Sequence, residues 1–310
     1  MIISKTPLRV SFVGGGTDLP SFYRKTDFGC VISTTINKFI YLVIHKNFEP
    51  HIRIQYSKNE FVDAVNKIEN TRVKAVMQKI KEIYPKFNPY IVLHSIADVP
   101  AGTGLGSSSS FLVGLLNILY EHIGIKISNN ELAEYAADIE INTLKEPIGK
   151  QDQYIAAYGN LNYIQFNNDE SVSVKPLLFS SKTKEDLEKN LLIFYTGITR
   201  NASDILSKQK ISMDNKDTFN KMFKMRDLVL EMKEKLQKND LTEFGLLLDK
   251  NWQLKKKLQD NISDPHIDKI YDKAISSGAL GGKSLGAGGG GFLLFYCEAE
   301  KQDKLRTALS

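Results

Sequence analysis

The stretch Pro100-Ala101-Gly102-Thr103-Gly104-Leu105-Gly106, followed by Ser107, Ser108, Ser109 and Ser110, constrains this chain more than any other segment. It lies between a strand pattern over 90–96 and a helix pattern over 111–123, so it joins a strand to a helix. Glycines at every second position let the backbone take positive φ and approach a bulky group closely. The free amides of the first helical turn, with the helix dipole behind them, attract an anion; serine hydroxyls add donors to phosphate oxygens or ligate Mg²⁺. The plainer alternative is a flexible connector with a serine N-cap, but four serines exceed what a cap needs. The common P-loop is excluded, because no lysine follows Gly106. The near match ending in Lys283-Ser284 has a spacer one residue short and follows a helix.

Two further glycine clusters need separate readings. Gly286-Ala-Gly288-Gly289-Gly290-Gly291 satisfies Gly-x-Gly-x-x-Gly in form, yet a dinucleotide site needs a strand before it and a helix after it. Here a strand pattern, 292–296, comes after, so the cluster reads as a tight bend packed against the ligand of the serine loop. The stretch from Pro7 through Arg9 to Gly14-Gly15-Gly16-Thr17-Asp18 offers a strand-borne guanidinium, suited to phosphate, and a turn-borne carboxylate, suited to sugar hydroxyls. An N-terminal hairpin with an aspartate in its turn remains the alternative. Glu140, on a helix expected over 132–144, and Asp152, after a turn at 147–149, could serve a metal and an attacking hydroxyl. Pattern alone leaves both as ordinary surface acids.

The rest of the chain reads as strands over 2–13, 29–45 and 52–56, then a helix over 64–84 with apolar residues at three- and four-residue steps. A strand pair follows at 161–166 and 172–174, a strand at 191–195, three Lys/Glu-rich helices over 203–277, and a short closing helix after 296. Ser128 caps the helix before Glu140. Strands and helices in non-alternating runs predict an α+β protein, with two lobes, 1–176 and 177–310. Apolar residues at 42% and charged ones at 25% suit a folded globular chain. Cys30 and Cys297 are too few for a disulfide scaffold. The net charge of +5 sits largely on interleaved acidic and basic surface between 208 and 257, so no nucleic-acid partner is expected. No secretory signal and no run long enough to span a bilayer is apparent, so a cytoplasmic protein without membrane contacts is expected. A homodimer is the assembly left open, and Trp252 is expected to pack in a core.

Together these motifs resemble the GHMP superfamily of small-molecule kinases, which includes galactokinase, homoserine kinase and mevalonate kinase. The resemblance runs through 7–18, 100–110 and 284–295, in that order. Within the superfamily the segments Pro7 to Asp18, Glu146-Pro-Ile-Gly-Lys-Gln-Asp-Gln-Tyr154, Phe194 to Arg200 and Gly281 to Phe292 resemble the D-glycero-D-manno-heptose 7-phosphate kinases. The resemblance implies an N-terminal α+β lobe and a ferredoxin-like C-terminal lobe. It also implies phosphorylation of a heptose 7-phosphate at its anomeric hydroxyl by ATP with Mg²⁺. Carried over by position, the backbone of Gly102, Thr103, Gly104, Leu105, Gly106, Ser107, Ser108 and Ser109 would cradle the ATP phosphates. Ser108 and Glu140 would hold the metal, Glu140 lying one residue further from Asp152 than its counterpart in mevalonate kinase. Asp152 would take the hydroxyl proton, with Arg9 near the transferred phosphoryl. Asp18, with Gly15, Gly16 and Thr17, would hold the sugar, and Gly288 and Gly289 would border it. Arg200 is the expected partner of the substrate's own phosphate, with Lys208 and Arg24 behind it. A kinase of an unphosphorylated sugar such as fucose or galactose is the nearest rival, and a non-catalytic sugar or nucleotide sensor a second.

Overall fold

The computed structural model describes residues 1–199, 215–259 and 262–310. In chain order the elements are β1 (Ile2–Val13), α1 (Pro20–Tyr23), β2 (Phe28–Lys46), β3 (Ile52–Gln55), β4 (Asn59–Val62), α2 (Thr71–Ile83), β5 (Ile91–Ala97), α3 (Ser107–His122) and α4 (Asn129–Ala137). After a π-helical turn at Asp138–Thr143 come α5 (Gln151–Tyr158), β6 (Leu161–Asn167), β7 (Val172–Pro176), α6 (Ser181–Asn190) and β8 (Leu191–Tyr195). The chain continues through α7 (Lys216–Gln237), α8 (Leu241–Lys256), α9 (Pro265–Ser276), β9 (Gly281–Ser284), β10 (Phe292–Tyr296) and α10 (Gln302–Leu309). The architecture is mixed α+β; β3 pairs with β5 in parallel, while β2–β5, β2–β6, β3–β4, β6–β7, β8–β10 and β9–β10 pair antiparallel.

The chain forms two compact units that interleave in sequence, one of residues 1–9, 35–101 and 106–159, the other of 10–34, 102–105 and 160–310. In the first, strands run in the order β4-β3-β5-β2, and α2, α3, α4 and α5 pack among themselves. Helix α3 buries Leu112, Val113, Leu115, Leu116, Ile118, Leu119 and Tyr120, which lie all round its axis. Such a helix belongs inside a fold, and its run of apolar residues in the sequence has that origin. β1 crosses it closely: a Cβ on Gly114 would lie 2.5 Å from Thr6 Oγ1, and Ser110 Oγ donates to the Pro7 carbonyl at 2.8 Å.

In the second unit β2 continues the order β2-β6-β7, and a separate antiparallel sheet runs β8-β10-β9. Its core joins Phe22, Met222, Met225, Trp252, Tyr271 and Phe295, so Trp252 is a packing residue, as expected.

Three sequence expectations are revised. The helix over 64–84 is interrupted: 65–67 form a 3₁₀ turn, and Asn70, accepting from the Val73 amide at 3.1 Å, caps α2 afresh. The helix over 132–144 is α-helical only to Ala137 and then opens into the π turn. The glycine-rich closing stretch over 281–291 begins with a strand, β9, two of whose four residues, Gly281 and Gly282, sit where a side chain would clash. A Cβ on Gly281 would meet the Gly245 carbonyl of α8 at 2.0 Å.

Candidate active site

Helix α3 begins at Ser107, four residues before its apolar run, so the serines form its first turn and Gly106 is its cap, at φ +74° and without a side-chain cap bond. The Ser110 amide is the first to find a carbonyl four residues back, that of Gly106 at 3.0 Å. The amides of Ser107, Ser108 and Ser109 are therefore left for a ligand, at the positive end of the helix. Gly106 is required twice over: for its positive φ, and because a Cβ would press on Arg9, 3.0 Å from Cγ.

Arg9, carried by β1, donates from Nε to Asp152 Oδ1 at 2.7 Å and from Nη2 to Oδ2 at 2.5 Å. A bidentate pair of this kind fixes both side chains in direction as well as distance. Asp152 is at the second position of α5, where an acid also suits the helix dipole. Gln153, the next residue, points elsewhere: its Nε2 donates to Glu140 Oε2 at 2.6 Å. Ser109 Oγ donates to the same oxygen at 2.7 Å. Glu140 sits in the π turn, a form that recurs at functional sites.

Glu140 is 0% exposed, and its Oε1 has no hydrogen-bond partner. Burial holds its carboxyl above the usual carboxylate range, against the opposing pull of the Ser109 hydroxyl, the Arg72 guanidinium and the Gln153 amide. Gln153 Oε1 is likewise buried and unpartnered. Two such oxygens, one anionic, suit a hard cation, so these residues fit Mg²⁺. Among the described residues no group of three or more His, Cys, Asp or Glu could hold a metal ion. Arg72, on α2, lies against both Glu140 and Glu146.

The second unit holds the remaining candidates in two groups. In the turn 14–18, Asp18 is buried and its Oδ1 accepts from the Gly16 amide at 2.9 Å. Thr17 Oγ1 donates to the Cys30 carbonyl at 2.7 Å and accepts from the Cys30 amide at 3.0 Å, so its hydroxyl is committed to β2. Gly14 N donates to Asn251 Oδ1 at 3.3 Å. Gly15 is buried in the same turn. In the other group, Gly102–Leu105 faces the last glycine cluster directly. A Cβ on Gly104, at φ +82°, would lie 2.4 Å from the Leu285 carbonyl, and one on Gly291 would lie 2.3 Å from that of Thr103. Gly288 and Gly289 are tied to Ile262, the Gly289 amide donating to its carbonyl at 2.9 Å. The two glycine clusters thus form one packed surface of backbone.

The first unit therefore brings Arg9, Asp152, Glu140 and 106–109 together, while the second holds 15–18 in one turn and packs 102–105 against the last glycine cluster. Arg200 and Lys208 lie outside the described residues, and exposed Arg24 is paired with Glu170. Sequence reasoning missed Gln153, Arg72 and two buried lysines. Lys283 Nζ donates to the Ser11 and Phe12 carbonyls at 2.6 and 3.1 Å, and Lys255 Nζ to that of Gly286 at 2.7 Å. Gln153 and Lys283 stand inside the quoted motifs; Arg72 had no signal beyond an arginine at a helix start, where an acid is favoured.

Residues 71–160 match the GHMP kinases N terminal domain and residues 232–310 the GHMP kinases C terminal domain. The D-glycero-alpha-D-manno-heptose 7-phosphate kinase of Campylobacter jejuni is 32% identical over 317 residues, spanning 99% of this chain and 93% of that protein. The L-fucokinase/L-fucose-1-P guanylyltransferase of Bacteroides fragilis is 27% identical over 94% of this chain, which spans 34% of that longer protein. The crystal structure of a D-glycero-D-manno-heptose 1-phosphate kinase from Bacteroides thetaiotaomicron superposes with a TM-score of 0.82 at 26% identity, covering 100% of this chain and 92% of that one. The chain belongs to the GHMP kinases, a family of phosphotransferases.

Proposed function

We propose that this chain transfers the γ-phosphoryl group of ATP to the anomeric hydroxyl of D-glycero-D-manno-heptose 7-phosphate. The product would be the 1,7-bisphosphate, a precursor of nucleotide-activated heptose. The observation that carries the reading is the two-bonded Arg9–Asp152 pair lying against Gly106, the cap of a helix with open amides. The heptose follows from the Campylobacter relative, which matches this chain over nearly its whole length.

In this mechanism the backbone of 102–109 holds the ATP phosphates. Asp152 orients the acceptor hydroxyl and takes its proton as the new O–P bond forms and the bond to the ADP oxygen breaks. Arg9 faces the oxygens of the group in transit while keeping Asp152 in place. Ser108 and Glu140 would hold Mg²⁺, which would supply positive charge to the phosphates. Asp18 and the turn 15–17 take the sugar hydroxyls, with 288–289 beside them, and Arg200 meets the 7-phosphate. A cytoplasmic location fits substrates of this kind, and no helix among the described residues is long and apolar enough to cross a membrane.

The test is ADP release with Mg²⁺-ATP across heptose 7-phosphate, heptose 1-phosphate, sedoheptulose 7-phosphate, mannose 6-phosphate, fucose and galactose, with Asp152→Asn as control. Turnover confined to heptose 7-phosphate and lost in the control supports the reading. Turnover of heptose 1-phosphate would move the acceptor phosphate to the position named for the Bacteroides structure. The fucokinase relative favours a second reading, a free-sugar kinase; turnover of fucose or galactose alone would install it and remove the phosphate pocket. ATP binding without any turnover would favour the sensor.

A further inference from the structure

Arg72 occupies the second position of α2, the positive end of a helix dipole, where a cation is disfavoured. The start of that helix is nonetheless held firmly. Glu60 of β4 accepts from the Glu69 and Asn70 amides at 2.6 and 3.0 Å and from Tyr56 Oη at 2.9 Å. Arg72 spends its charge on two acids. Its Nη2 donates to Glu146 in a short charged bond, and its Nε lies 3.5 Å from Glu140 Oε1. The two contacts differ in kind. The Glu146 bond is directional, whereas neither Arg72 Nε nor Glu140 Oε1 has a hydrogen-bond partner although they face each other. An ion pair so placed gives charge neutrality to a buried carboxylate without satisfying its oxygen.

Glu146 is in the segment between the π turn and α5, and its amide donates to the Glu140 carbonyl at 2.9 Å. Arg72 therefore touches both Glu140 and Glu146, the two ends of the first half of the link from Glu140 to Asp152. The Arg72 side chain is 25% exposed as a whole, while its Nε and Glu140 are buried, so the pair is screened from solvent at its contact and open only along the arginine.

We propose that Arg72 is a positioning residue that holds Glu146, and with it the turn leading to Asp152, and that stands as a provisional counter-charge to Glu140, giving way there when a divalent cation binds. This rests on the reading of Glu140 as a metal ligand. Its consequence is a split that a merely structural arginine would not produce: removing Arg72 takes away a competitor for Glu140 and at the same time frees the turn that aims Asp152.

The test is direct binding of Mn²⁺, counted as free Mn²⁺ by electron paramagnetic resonance without nucleotide, set beside kcat for the wild-type chain and four variants. Arg72→Met is expected to bind Mn²⁺ at least about fivefold more tightly, the factor that one partly exposed ion pair supports, and to lose roughly tenfold or more in kcat. Arg72→Lys keeps the charge but cannot reach both acids as a planar fork does, so its Mn²⁺ affinity stays near wild type while kcat still falls. Glu146→Gln leaves Arg72 wholly to Glu140 and should weaken Mn²⁺ binding, a change of opposite sign that keeps the test open if Arg72→Met does not fold. Unchanged or weaker Mn²⁺ binding in Arg72→Met, with Glu140→Gln losing the ion, overturns the role of Arg72 alone. Full Mn²⁺ binding by Glu140→Gln overturns the metal reading, and this proposal with it.

Discussion

Arg9 and Asp152, 143 residues apart in the chain, meet through two parallel hydrogen bonds at 2.7 and 2.5 Å. The arginine is 6% exposed and the aspartate 21%, so the carboxylate is anchored on one side and open on another. A base held this way has its direction set before the acceptor arrives. Asp152→Asn keeps the shape and removes the proton acceptor, so kcat should fall roughly 10²- to 10⁴-fold, with ATP affinity within about twofold of wild type. Arg9→Lys keeps the charge without the fork and should cost about tenfold in kcat. Steady-state ADP release and calorimetric ATP binding check both; an equal loss of affinity and rate in Asp152→Asn would argue for a binding role instead.

The back-to-back glycine clusters make a prediction about stability. A Cβ on Gly286, at φ +71°, would lie 2.6 Å from Gly104 Cα, whereas one on Gly197, at φ +75°, meets nothing within 4 Å. Gly197→Ala therefore measures the cost of positive φ alone, about 1 kcal/mol. Gly286→Ala adds a main-chain clash and should cost about 3 kcal/mol or more, while also weakening ATP binding because 102–105 must shift. Urea midpoints of the two variants give the comparison, and equal midpoints would sink it.

Much of this was legible in the sequence, for reasons that also mark where legibility ends. β8 at 191–195 and β10 at 292–296 come directly from runs of apolar and β-branched residues between turn signals. The capping box at Ser128 and Glu131 follows from their spacing. The serine loop was readable because glycine spacing and a following helix are local features. Partnerships are not local. Nothing in the spacing of Arg72, Glu140 and Glu146 announces that they share charge, and Glu140 looked like any surface acid until Ser109 and Gln153 were found bonded to it. β9 was hidden for the opposite reason: glycine disfavours strands, and the closeness of α8 at Gly281 and of β10 at Gly282 explains a strand made with two of them. The π turn at 138–143 leaves no trace in periodicity at this length.

Lys283 is 1% exposed and donates to two main-chain carbonyls at the end of β1, those of Ser11 and Phe12. These residues lead straight into the turn bearing Asp18. Lys283→Met keeps the length of the side chain and leaves both buried acceptors short of a donor, which should cost about 2 kcal/mol or more. In the proposed reaction the same change should raise KM for the sugar phosphate more than it lowers kcat, since Asp152 is carried by a different part of the chain. Thermal unfolding and the two kinetic constants check this together. A full loss of kcat at unchanged KM would instead assign Lys283 to the reacting centre.

Cys30 supplies a prediction in alkaline solution. Its thiol lies buried on β2, and burial pushes it up to about 12, against the pull of Tyr163 and Arg226. The folded value lies above the unfolded one, so the folded protein binds this proton more tightly. That contribution is fully present below the unfolded value of about 9 and is lost as pH rises from there through about 12. Relative to Cys30→Ala, the wild-type chain should therefore lose about 1.4 kcal/mol of stability per pH unit above 9, and nothing between pH 6 and 8. Urea unfolding of both proteins from pH 7 to 10.5 measures the slope. The same burial predicts that Ellman's reagent leaves Cys30 unmodified in the folded chain at pH 8 and modifies it on unfolding. Parallel stability curves for the two proteins above pH 9, or rapid modification of folded Cys30, would mean that this thiol is open to solvent.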